Sequence, residues 1–387
     1  MKNEKQQVLL IAAKANMIWQ FNKRNILILQ SKGFDVHVAA NFIDFGSFSD
    51  QENQKALDWL ENNNVTVHQI DFERRLGTVR GNIKALRQLN NVFKREIFSF
   101  VHVHSPLGSI LGRLVAKMNH VPVVYTCHGL HFYKGGSIKN WLIFYPIEYM
   151  FALMTHSVIV INGEDEKIVR TMPFKHRFRV HSNGANVSES LSIPNTEKKE
   201  NSENIREELH ISREDYLILS VGELSIRKNH ALILDALSIL QNRKLYPRLV
   251  IAGVGELQNE LRMKITRLKL NEQVTLLGYR NDIRALNHAA DLFVFPSIRE
   301  GLGLSGLDAV VDGTYILGSI YGGIKDYITD DSVGKLISPF DSEKLADLIE
   351  ECMGHEKTKF SKQAVTELLK FDVSEVDRVM ADVYDNF

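Results

Sequence analysis

The sequence contains one pattern twice: short apolar runs rich in β-branched residues, separated by stretches long enough for a helix. The runs of the first half are VLLIAA, DVHVAAN, VTVHQID, FVHVHS, VPVVYT, HSVIVIN and RFRVHSN. Those of the second half are YLILSVG, RLVIAG, VTLLGY, LFVFPS and YILGS. Strands that alternate with helices form parallel sheets covered by helices on both faces. The pattern therefore predicts an α/β fold with two doubly wound, Rossmann-like units in tandem.

A polar segment separates the two series of strands. Residues 188–204, SESLSIPNTEKKENSEN, contain few large apolar side chains and indicate a linker or loop with a short helix to follow. We therefore expect a first domain at residues 1–187, a second at 188–371, and a C-terminal helix at 372–387 that packs back on the first. Ligands of such folds bind at the carboxyl ends of the strands, so the predicted site is a cleft that both sheets face.

The charge of the chain is divided unequally between its halves. The 47 basic and 47 acidic residues cancel overall, which argues against a nucleic-acid binder that works by bulk positive charge. However, residues 1–187 hold 23 basic and 14 acidic residues, a net charge of +9, whereas residues 188–387 hold 24 and 33, a net charge of −9. If a charged partner exists, the first half is the one expected to meet an anionic surface.

Neither a disulfide framework nor a membrane span is expected. Cys127 and Cys352 lie far apart without C-x-x-C spacing, which favours a reducing compartment and no zinc site. The N-terminal apolar stretch of about six residues is too short for a signal peptide. Pro146, Glu148 and His156 interrupt the most apolar region, so it does not resemble a spanning helix. Neither unit has G-x-G-x-x-G after its first strand, which makes a dinucleotide enzyme a poor fit.

The most informative motif is FPSIREGLGLSGLDAVVDG, residues 295–313. A strand is expected to end near Ser297 and a helix to begin near Ser305, so the glycine-rich loop between them is a candidate anion site at a helix N-terminus. Glu300 and Asp308 bracket this loop, and a carboxylate can accept two hydrogen bonds from a sugar diol. The alternative for Asp308 is a capping box with Ser305.

A second motif, VGELSIRKNHALILDAL, places Lys228 just before a predicted helix. A compact cation there suits a nucleotide diphosphate, although a solvated lysine at a helix start is the alternative. Glu223 lies in the same motif, and a carboxylate about 4 Å from a phosphate would cost on the order of 4 kcal/mol at an effective dielectric constant of roughly 20. We therefore expect Glu223 to point elsewhere, toward Arg227 or the acceptor.

Both motifs resemble the retaining GT-B glycosyltransferases of family 4, whose signature is E-x(7)-E together with a G-R-x-x-x-x-K-G element. The resemblance implies that Glu300 binds the donor sugar, Asp308 the ribose and Lys228 the diphosphate. It also implies a donor-binding loop formed by Gly301, Leu302, Gly303 and Leu304. The chain departs from the family pattern at three positions, where it has Glu223 for arginine, Asn229 for glycine and Asp308 for glutamate. The aspartate side chain is shorter by about 1.5 Å.

Two further segments of the second half are similar to family elements. LLGYRNDIRALNHAADLFVFPS resembles the base-binding turn, which implies that Arg280 lies beside the nucleobase; a surface ion pair is the alternative for this arginine. SIYGGIKD resembles the loop with paired glycines that follows the next strand, although its glycines also suit an ordinary turn.

The first half resembles a narrower subgroup, the enzymes of bacterial capsule and exopolysaccharide assembly. The resemblance is carried by VHVHSPLGSILGRL and VVYTCHGLHFYKGGSIKNWLIFYPIE. It implies that His128 is the active-site histidine, which donates to a sugar hydroxyl or a phosphate oxygen. NMIWQFNKRNILIL resembles the subgroup's first loop and helix and supplies the acceptor-side candidates Asn16 and Met17. Of the other histidines, His102, His104 and His131 are expected to pack or to support the site.

The implied activity is transfer of a sugar from a nucleotide diphosphate sugar, with uridine as the expected base, to a polyprenyl-diphosphate-linked saccharide. No cofactor is expected. The acidic triplet of VIVINGEDEK could suggest a metal site, but a helix capped by Asn162 explains it better, so no metal is predicted. Three alternatives stay open: a nucleotide-sugar epimerase, a non-catalytic partner subunit of this fold, and a family 4 enzyme that glycosylates a protein or a soluble sugar.

A lipid-linked acceptor implies a cytoplasmic protein at the inner face of the plasma membrane. Basic residues that could contact anionic lipid are Arg74, Arg75, Arg80, Lys84, Arg87, Lys94 and Arg95. The aromatic-rich segment Phe132–Phe151 could contribute to the same contact. The alternative is that the charges are ordinary solvated helix faces and the aromatic side chains belong to the core.

Overall fold

The computed structural model describes residues 5–46, 49–74, 77–104, 106–133, 135–354 and 360–387. Arg75 of the predicted basic cluster lies outside the described residues. The chain divides into two compact units: a first domain formed by Met1–Asn183 with Val376–Phe387, and a second formed by Gly184–Glu375. The domain boundary inferred from the sequence, between 187 and 188, falls a few residues inside the second unit.

Each domain contains one parallel sheet. Within the described ranges, the first sheet has seven strands in the order β3-β2-β1-β4-β5-β6-β7, and the second has six in the order β10-β9-β8-β11-β12-β13. The strands are β1 (Gln7–Lys14), β2 (Asp35–Asn41), β3 (Thr66–Gln69), β4 (Phe98–His104), β5 (Val123–Cys127), β6 (Ser157–Val160), β7 (His176–Arg179), β8 (Leu217–Val221), β9 (Arg248–Ala252), β10 (Val274–Gly278), β11 (Leu292–Phe295), β12 (Ile316–Ser319) and β13 (Gly334–Ile337). Every predicted run forms a strand, which confirms the doubly wound α/β prediction. Strand β13 was not predicted because GKLI is short and only half apolar.

Helices connect the parallel strands. They are α1 (Ala15–Phe21), α2 (Lys23–Ser31), α3 (Asp50–Asn62), α4 (Val79–Arg95), α5 (Pro106–Met118), α6 (Ile138–Ala152), α7 (Gly163–Val169), α8 (Val187–Ser192), α9 (Asn195–Glu208), α10 (His230–Asn242), α11 (Gln258–Arg267), α12 (Ile283–Ala289), α13 (Leu304–Val311), α14 (Ser342–Met353), α15 (Lys362–Leu368) and α16 (Val373–Tyr384). Two short 3-10 turns, Gly322–Asp326 and Leu369–Phe371, complete the second domain.

Alternation along β1 explains why the first sheet is covered on both faces. Leu9 and Ile11 belong to the core that α4 and α5 cover, whereas Val8 and Leu10 belong to the core on the opposite face, under α1 and α2. Successive side chains of a strand point to opposite faces, so the fully apolar run VLLIAA supplies both cores at once.

Helix α16 packs into the core on the second face of the first sheet. Its residues Val376, Met380, Val383 and Tyr384 are buried there. The hydroxyl of Tyr384 lies 2.8 Å from Nδ1 of His102 on β4. Burying four large side chains at roughly 1.5–3 kcal/mol each makes this helix an integral part of the core.

The polar segment between the domains is more ordered than its composition suggests. Most of it forms α9, which begins directly after Pro194, a residue that favours a helix start. Helix α9 is anchored at its far end, where Arg206 donates to the carbonyl of Ala289 at 3.0 Å and forms an ion pair with Asp291 at 2.7 Å. The prediction of a linker was therefore wrong for these residues, because the buried Ile205 and Arg206 anchor a helix whose other side chains are largely solvated.

Candidate active site

Two loops of the second domain meet in a cluster of charged side chains. Nζ of Lys228 lies 2.7 Å from Oε1 of Glu300, and a guanidinium nitrogen of Arg227 lies 2.6 Å from the same oxygen. Lys228 and Glu300 are each only 9% exposed, whereas the side chain of Arg227 is half exposed. Burial lowers the pKa of Lys228, and the neighbouring Glu300 opposes that shift by favouring the charged ammonium. The cluster thus places two cations around one carboxylate.

Sheet topology explains why residues 72 positions apart meet. Strands β8 and β11 are neighbours, and both loops leave their carboxyl ends. The amide of Ile298 donates to the carbonyl of Arg227 at 2.8 Å, and the hydroxyl of Ser305 donates to the carbonyl of Val221 at 3.1 Å. These two hydrogen bonds join the loops on either side of the charged cluster.

The glycine-rich loop reaches α13 through a backbone conformation that suits glycine. Gly303 is the N-cap residue, with φ of +81°, and its carbonyl accepts a hydrogen bond of 3.0 Å from the buried hydroxyl of Tyr327. The first N–H groups of α13 lack intrahelical acceptors, as at any helix start, and lie next to Leu304 and the loop Gly301–Gly303. An anion at this point would meet backbone donors and the positive end of the helix.

The turn that resembles the family's paired-glycine loop lies against Glu300. A Cβ atom on Gly322, whose φ is +79°, would come within 2.1 Å of the Glu300 carbonyl oxygen. The amide of Gly323 donates to the carbonyl of Gly301 at 3.0 Å. Gly322 is therefore required by the close approach of the two loops, and the amide of residue 323 holds them together.

Asn229 shows how the chain tolerates a departure from the family pattern. It has φ of +56° and precedes α10 as its N-cap residue. Glycine suits this left-handed conformation best, and asparagine is among the few other residues that adopt it readily. Its side-chain amide donates to the carbonyl of Pro339 at 2.7 Å and, more weakly, to that of Pro296 at 3.3 Å. The substitution is compatible with the loop and adds an anchor.

Asp308 lies within α13, where its side chain is half-buried and has no hydrogen-bond partner among the described residues. The capping-box interpretation is wrong, since Gly303 is the N-cap residue and Ser305 bonds to β8 instead. Burial, together with the negative charge of Asp312, raises the pKa of Asp308 to about 7, and Arg284 partly offsets this rise. A carboxyl group with no partner of its own can accept a ligand hydroxyl.

Arg280 is not part of the charged cluster. It follows β10, two strands away from β8, which at about 4.8 Å per strand corresponds to roughly 10 Å. Its guanidinium binds Glu208 at 2.6 Å and also Asp282, and these carboxylates raise its pKa. The structure therefore shows the ion pairs that were the alternative for this residue. Contact with a nucleobase stays a prediction. The flat face of the guanidinium could still stack on a base while its N–H groups bind the carboxylates.

Glu223 lies at the exposed edge of the charged cluster, where its charge favours the ammonium form of Lys228. Its side chain is 62% exposed and lies 3.9 Å from Arg227. This pairing is one of the two orientations expected from the sequence. Arg227 also contacts Glu300, and the motif did not reveal this second contact because adjacent basic residues are common on exposed loops.

In the first domain, His128 follows β5 and lies beside His104 at the end of β4. Nε2 of His128 is 3.2 Å from Nδ1 of His104. The ring of Phe21, from α1, packs against His128 with the centroids 5.0 Å apart. Burial lowers the pKa of His128 to about 4, so its ring is neutral at physiological pH. Together with Thr126, these three residues line part of a small cavity of about 30 Å³.

The acceptor-side candidates lie at the start of the same helix that contributes Phe21. Asn16 follows β1, the strand next to β4, and its amide donates to the carbonyl of Phe45 at 3.1 Å. Met17 is partly buried against the core under α1. The structure thus brings Asn16 and His128 to the same edge of the first sheet.

The acidic triplet after β6 is a helix start. The side chain of Asn162 accepts a hydrogen bond of 2.8 Å from the amide of Asp165, which confirms the predicted cap of α7. Within the part of the chain that the structure describes, no three His, Cys, Asp or Glu side chains are grouped so that they could hold a metal ion. None of the helices in that part is both long and apolar enough to cross a membrane.

Two domains, each built on a doubly wound parallel sheet, define the GT-B fold of glycosyltransferases. The family model described as glycosyl transferases group 1 matches residues 201–365, and that described as glycosyl transferase 4-like matches residues 7–162. The chain therefore belongs to the group 1, family 4 glycosyltransferases, which are retaining enzymes. The family resemblance inferred from its motifs is confirmed.

Sequence similarity to other glycosyltransferases covers most of the chain. The putative glycosyltransferase EpsD of Bacillus subtilis is 28% identical over 92% of this chain and 90% of its own length. An Escherichia coli enzyme, UDP-Gal:alpha-D-GlcNAc-diphosphoundecaprenol alpha-1,3-galactosyltransferase, is 32% identical over 60% of each chain. The crystal structure of Anabaena HepE in complex with UDP and glucose superposes with a TM-score of 0.74, at 18% identity, over 99% of this chain and 100% of that one, and so supports the fold.

Proposed function

We propose that this protein transfers a sugar from a uridine diphosphate sugar to a polyprenyl-diphosphate-linked saccharide during capsule or exopolysaccharide assembly. The observation that carries the proposal is the contact of Lys228 and Arg227 with Glu300, next to the start of α13. It provides cations and backbone donors for a diphosphate beside a carboxylate for sugar hydroxyls. The name of the E. coli relative of this chain specifies a diphosphoundecaprenol-linked acceptor, which supports the choice of acceptor class.

The proposed role of each residue combines the family resemblance of its motif with its position in the fold. Lys228 binds the diphosphate and stabilises the charge that develops on it as the bond to the sugar breaks. Glu300 accepts hydrogen bonds from hydroxyls of the donor sugar, and Asp308 accepts them from the ribose. His128 donates to a sugar hydroxyl or a phosphate oxygen. Gly301, Leu302, Gly303 and Leu304 present the loop and helix N-terminus to the donor, and Arg280 contacts the base.

The reaction we propose retains the anomeric configuration by attack from the side of the leaving group. The acceptor hydroxyl oxygen bonds to the anomeric carbon as the bond from that carbon to the phosphate oxygen breaks. The acceptor proton passes to an oxygen of the departing diphosphate. No protein nucleophile is required, so the protein contributes orientation and positive charge.

Lys228→Ala and Glu300→Gln test these roles, with a second ion pair of the same domain as the matched control. Each variant should lower kcat/KM by about 100-fold or more, because Lys228→Ala removes the cation beside the departing diphosphate and Glu300→Gln removes a charged acceptor of sugar hydroxyls. Lys335 and Glu351 form an exposed pair at 2.5 Å, and Lys335→Ala and Glu351→Gln should leave transfer unchanged. Wild-type rates in both active-site variants would refute the assignment.

The assay also separates the alternatives. Transfer is measured with a panel of uridine diphosphate sugars and a polyprenyl-diphosphate saccharide, and binding is measured by the rise in melting temperature with UDP. Conversion of a donor sugar without acceptor, followed by NMR, would indicate an epimerase. Failure of every nucleotide diphosphate to raise the melting temperature would indicate a non-catalytic subunit.

We further propose that the first domain contacts an anionic membrane through the face covered by α4 and α6. Both helices pack on the same core, and α4 carries five basic residues and no acidic one. The aromatic side chains of α6, such as Trp141 and Tyr145, pack against that core, as the alternative interpretation expected. Its exposed apolar side chains are instead mostly aliphatic, and they include Ile138 at 76% and Leu142 at 72%. Exposed apolar side chains and a basic helix on the same face of the sheet complement an anionic bilayer surface.

Co-sedimentation with vesicles tests this contact. Wild-type protein should bind vesicles that contain phosphatidylglycerol more strongly than pure phosphatidylcholine vesicles, and added salt should weaken the binding. Leu142→Gln should reduce binding, whereas Met263→Gln, at a similarly exposed methionine of the second domain, should not. Equal binding of the two variants, or no binding by the wild type, would refute the proposed face.

A further inference from the structure

Two buried histidines, His102 and His104, lie at the carboxyl end of β4, and the proposed reaction gives neither of them a role. His102 and His104 are at most 1% exposed. Both nitrogens of His102 have partners, Nδ1 with the hydroxyl of Tyr384 at 2.8 Å and Nε2 with that of Thr126 at 2.7 Å. The ring of His104 packs on that of His102 with the centroids 4.1 Å apart. His104 is thereby held against a ring that is itself fixed at both ends.

A hydrogen bond between ring nitrogens joins His104 to His128. The distance from Nδ1 of His104 to Nε2 of His128 is 3.2 Å. Burial lowers the pKa of both histidines far enough that each ring is neutral at physiological pH. A neutral imidazole has one N–H and one lone pair, so the direction of this hydrogen bond decides which nitrogen of His128 carries its proton.

The environment of His104 favours one direction. Its Nε2 is buried and has no hydrogen-bond partner among the described residues. A proton on that nitrogen would leave an N–H group orphaned, and orphaned buried N–H groups are rarer in folded proteins than unpaired acceptors. With the proton on Nδ1 instead, only a lone pair is left unpaired.

We propose that His104 is a positioning residue that donates its Nδ1–H to Nε2 of His128 and so fixes His128 as the Nδ1–H tautomer. The contact to His104 uses Nε2 of His128, no hydrogen bond of its Nδ1 is seen among the described residues, and His128 lines the small cavity, where a ligand could meet Nδ1. In this tautomer His128 presents a donor, which suits a sugar hydroxyl or a phosphate oxygen. In the other tautomer it would present only an acceptor, which no ionised phosphate oxygen can satisfy. The catalytic consequence rests on the proposed function.

Two substitutions separate the hydrogen bond from the bulk of the ring. In His104→Asn, the side-chain amide nitrogen can occupy the position of Nδ1 and donate to His128. In His104→Leu, the volume is largely kept and the donor is lost. The chain also offers a matched control: Nδ1 of the buried His37 lies 2.9 Å from Nε2 of His68, on strands β2 and β3. His37→Leu removes a contact of the same kind at a place that the reaction does not use.

The first readout is the tautomer of His128, assigned from imidazole ¹⁵N chemical shifts by comparison with His128→Asn. We expect the Nδ1–H tautomer in the wild type and in His104→Asn, and a mixture with more of the Nε2–H form in His104→Leu. The second readout is steady-state transfer. His104→Leu should lower kcat about 10- to 100-fold with little change in KM for the donor, because misorientation of a catalytic group affects turnover most. His104→Asn should restore most of the rate, and His37→Leu should match the wild type.

These readouts fail in distinguishable ways. A wild-type His128 in the Nε2–H form would overturn the inference even if every substitution destabilised the fold. Wild-type kcat in His104→Leu, in a protein that transfers sugar, would overturn the positioning role. If no donor is turned over, the proposed function fails, while the tautomer measurement still decides the direction of the hydrogen bond.

Discussion

Replacing Asp308 by Asn should make the protein more stable and at the same time weaken its binding of nucleotide. The side chain of Asp308 has no hydrogen-bond partner among the described residues and lies near the charge of Asp312, which raises its pKa from 3.8 to about 7. A rise of about three units corresponds to roughly 4 kcal/mol at about 1.4 kcal/mol per unit. Because the side chain is partly exposed and water screens its charge, we expect Asp308→Asn to raise the free energy of unfolding above pH 7 by about 2–4 kcal/mol.

The sign follows from proton linkage. Between pH 4 and pH 7 the folded state binds more protons at Asp308 than the unfolded state does, since its folded pKa is the higher one. The free energy of unfolding of the wild type therefore falls as the pH rises through this window. The gain from Asp308→Asn should be close to zero near pH 4, increase through pH 7, and remain constant above it.

Denaturant titrations at pH 4.5, 6 and 8 measure this gain, and UDP titration at pH 8 measures the loss of affinity. Affinity should fall about 10-fold or more, since a charged acceptor of ribose hydroxyls becomes a neutral amide. Asp312→Asn, at the C-cap of the same helix, is the control. Asp312 accepts hydrogen bonds of 2.8 Å from Ser190 and from Asn287, so its loss should destabilise the protein. A pH-independent effect of Asp308→Asn, or destabilisation at pH 8, would refute the reasoning.

Substitutions at Gly322, Asn229 and Tyr384 test the loops and the C-terminal helix. Gly322→Ala should lower the rate of transfer more than 10-fold, since its Cβ would meet the Glu300 carbonyl at 2.1 Å. Gly313→Ala is the control, at a positive φ with open space around it. It should leave transfer unchanged and lower the free energy of unfolding by about 1–2 kcal/mol of backbone strain, seen as a lower melting temperature. Asn229→Ala should be less stable than Asn229→Gly by about 1 kcal/mol, measured by urea unfolding, because alanine tolerates φ of +56° poorly. Tyr384→Phe should cost about 1–2 kcal/mol by the same method, because it leaves the buried Nδ1 of His102 unpaired; an unchanged urea midpoint would contradict that contact.

Local pattern was sufficient to predict the fold class. The apolar runs of β1, β4 and β8 are long and rich in β-branched residues, and such runs form buried parallel strands wherever helices can cover both faces. Motif spacing was equally sufficient for the family, since the acids at 300 and 308 follow a strand and flank a glycine-rich helix start. The one segment that composition misled was α9, where a single buried arginine outweighs a polar surface.

The sequence by itself determined which elements form and which residues leave the carboxyl ends of the strands. Only the tertiary structure decided which of those residues touch. It brings Lys228 and Arg227 to Glu300, ties Arg280 to Glu208, and places His104 against His128. The physical reason is that backbone pattern is a short-range property, whereas ion pairs and hydrogen bonds between distant residues depend on strand order and on which buried polar groups remain to be satisfied.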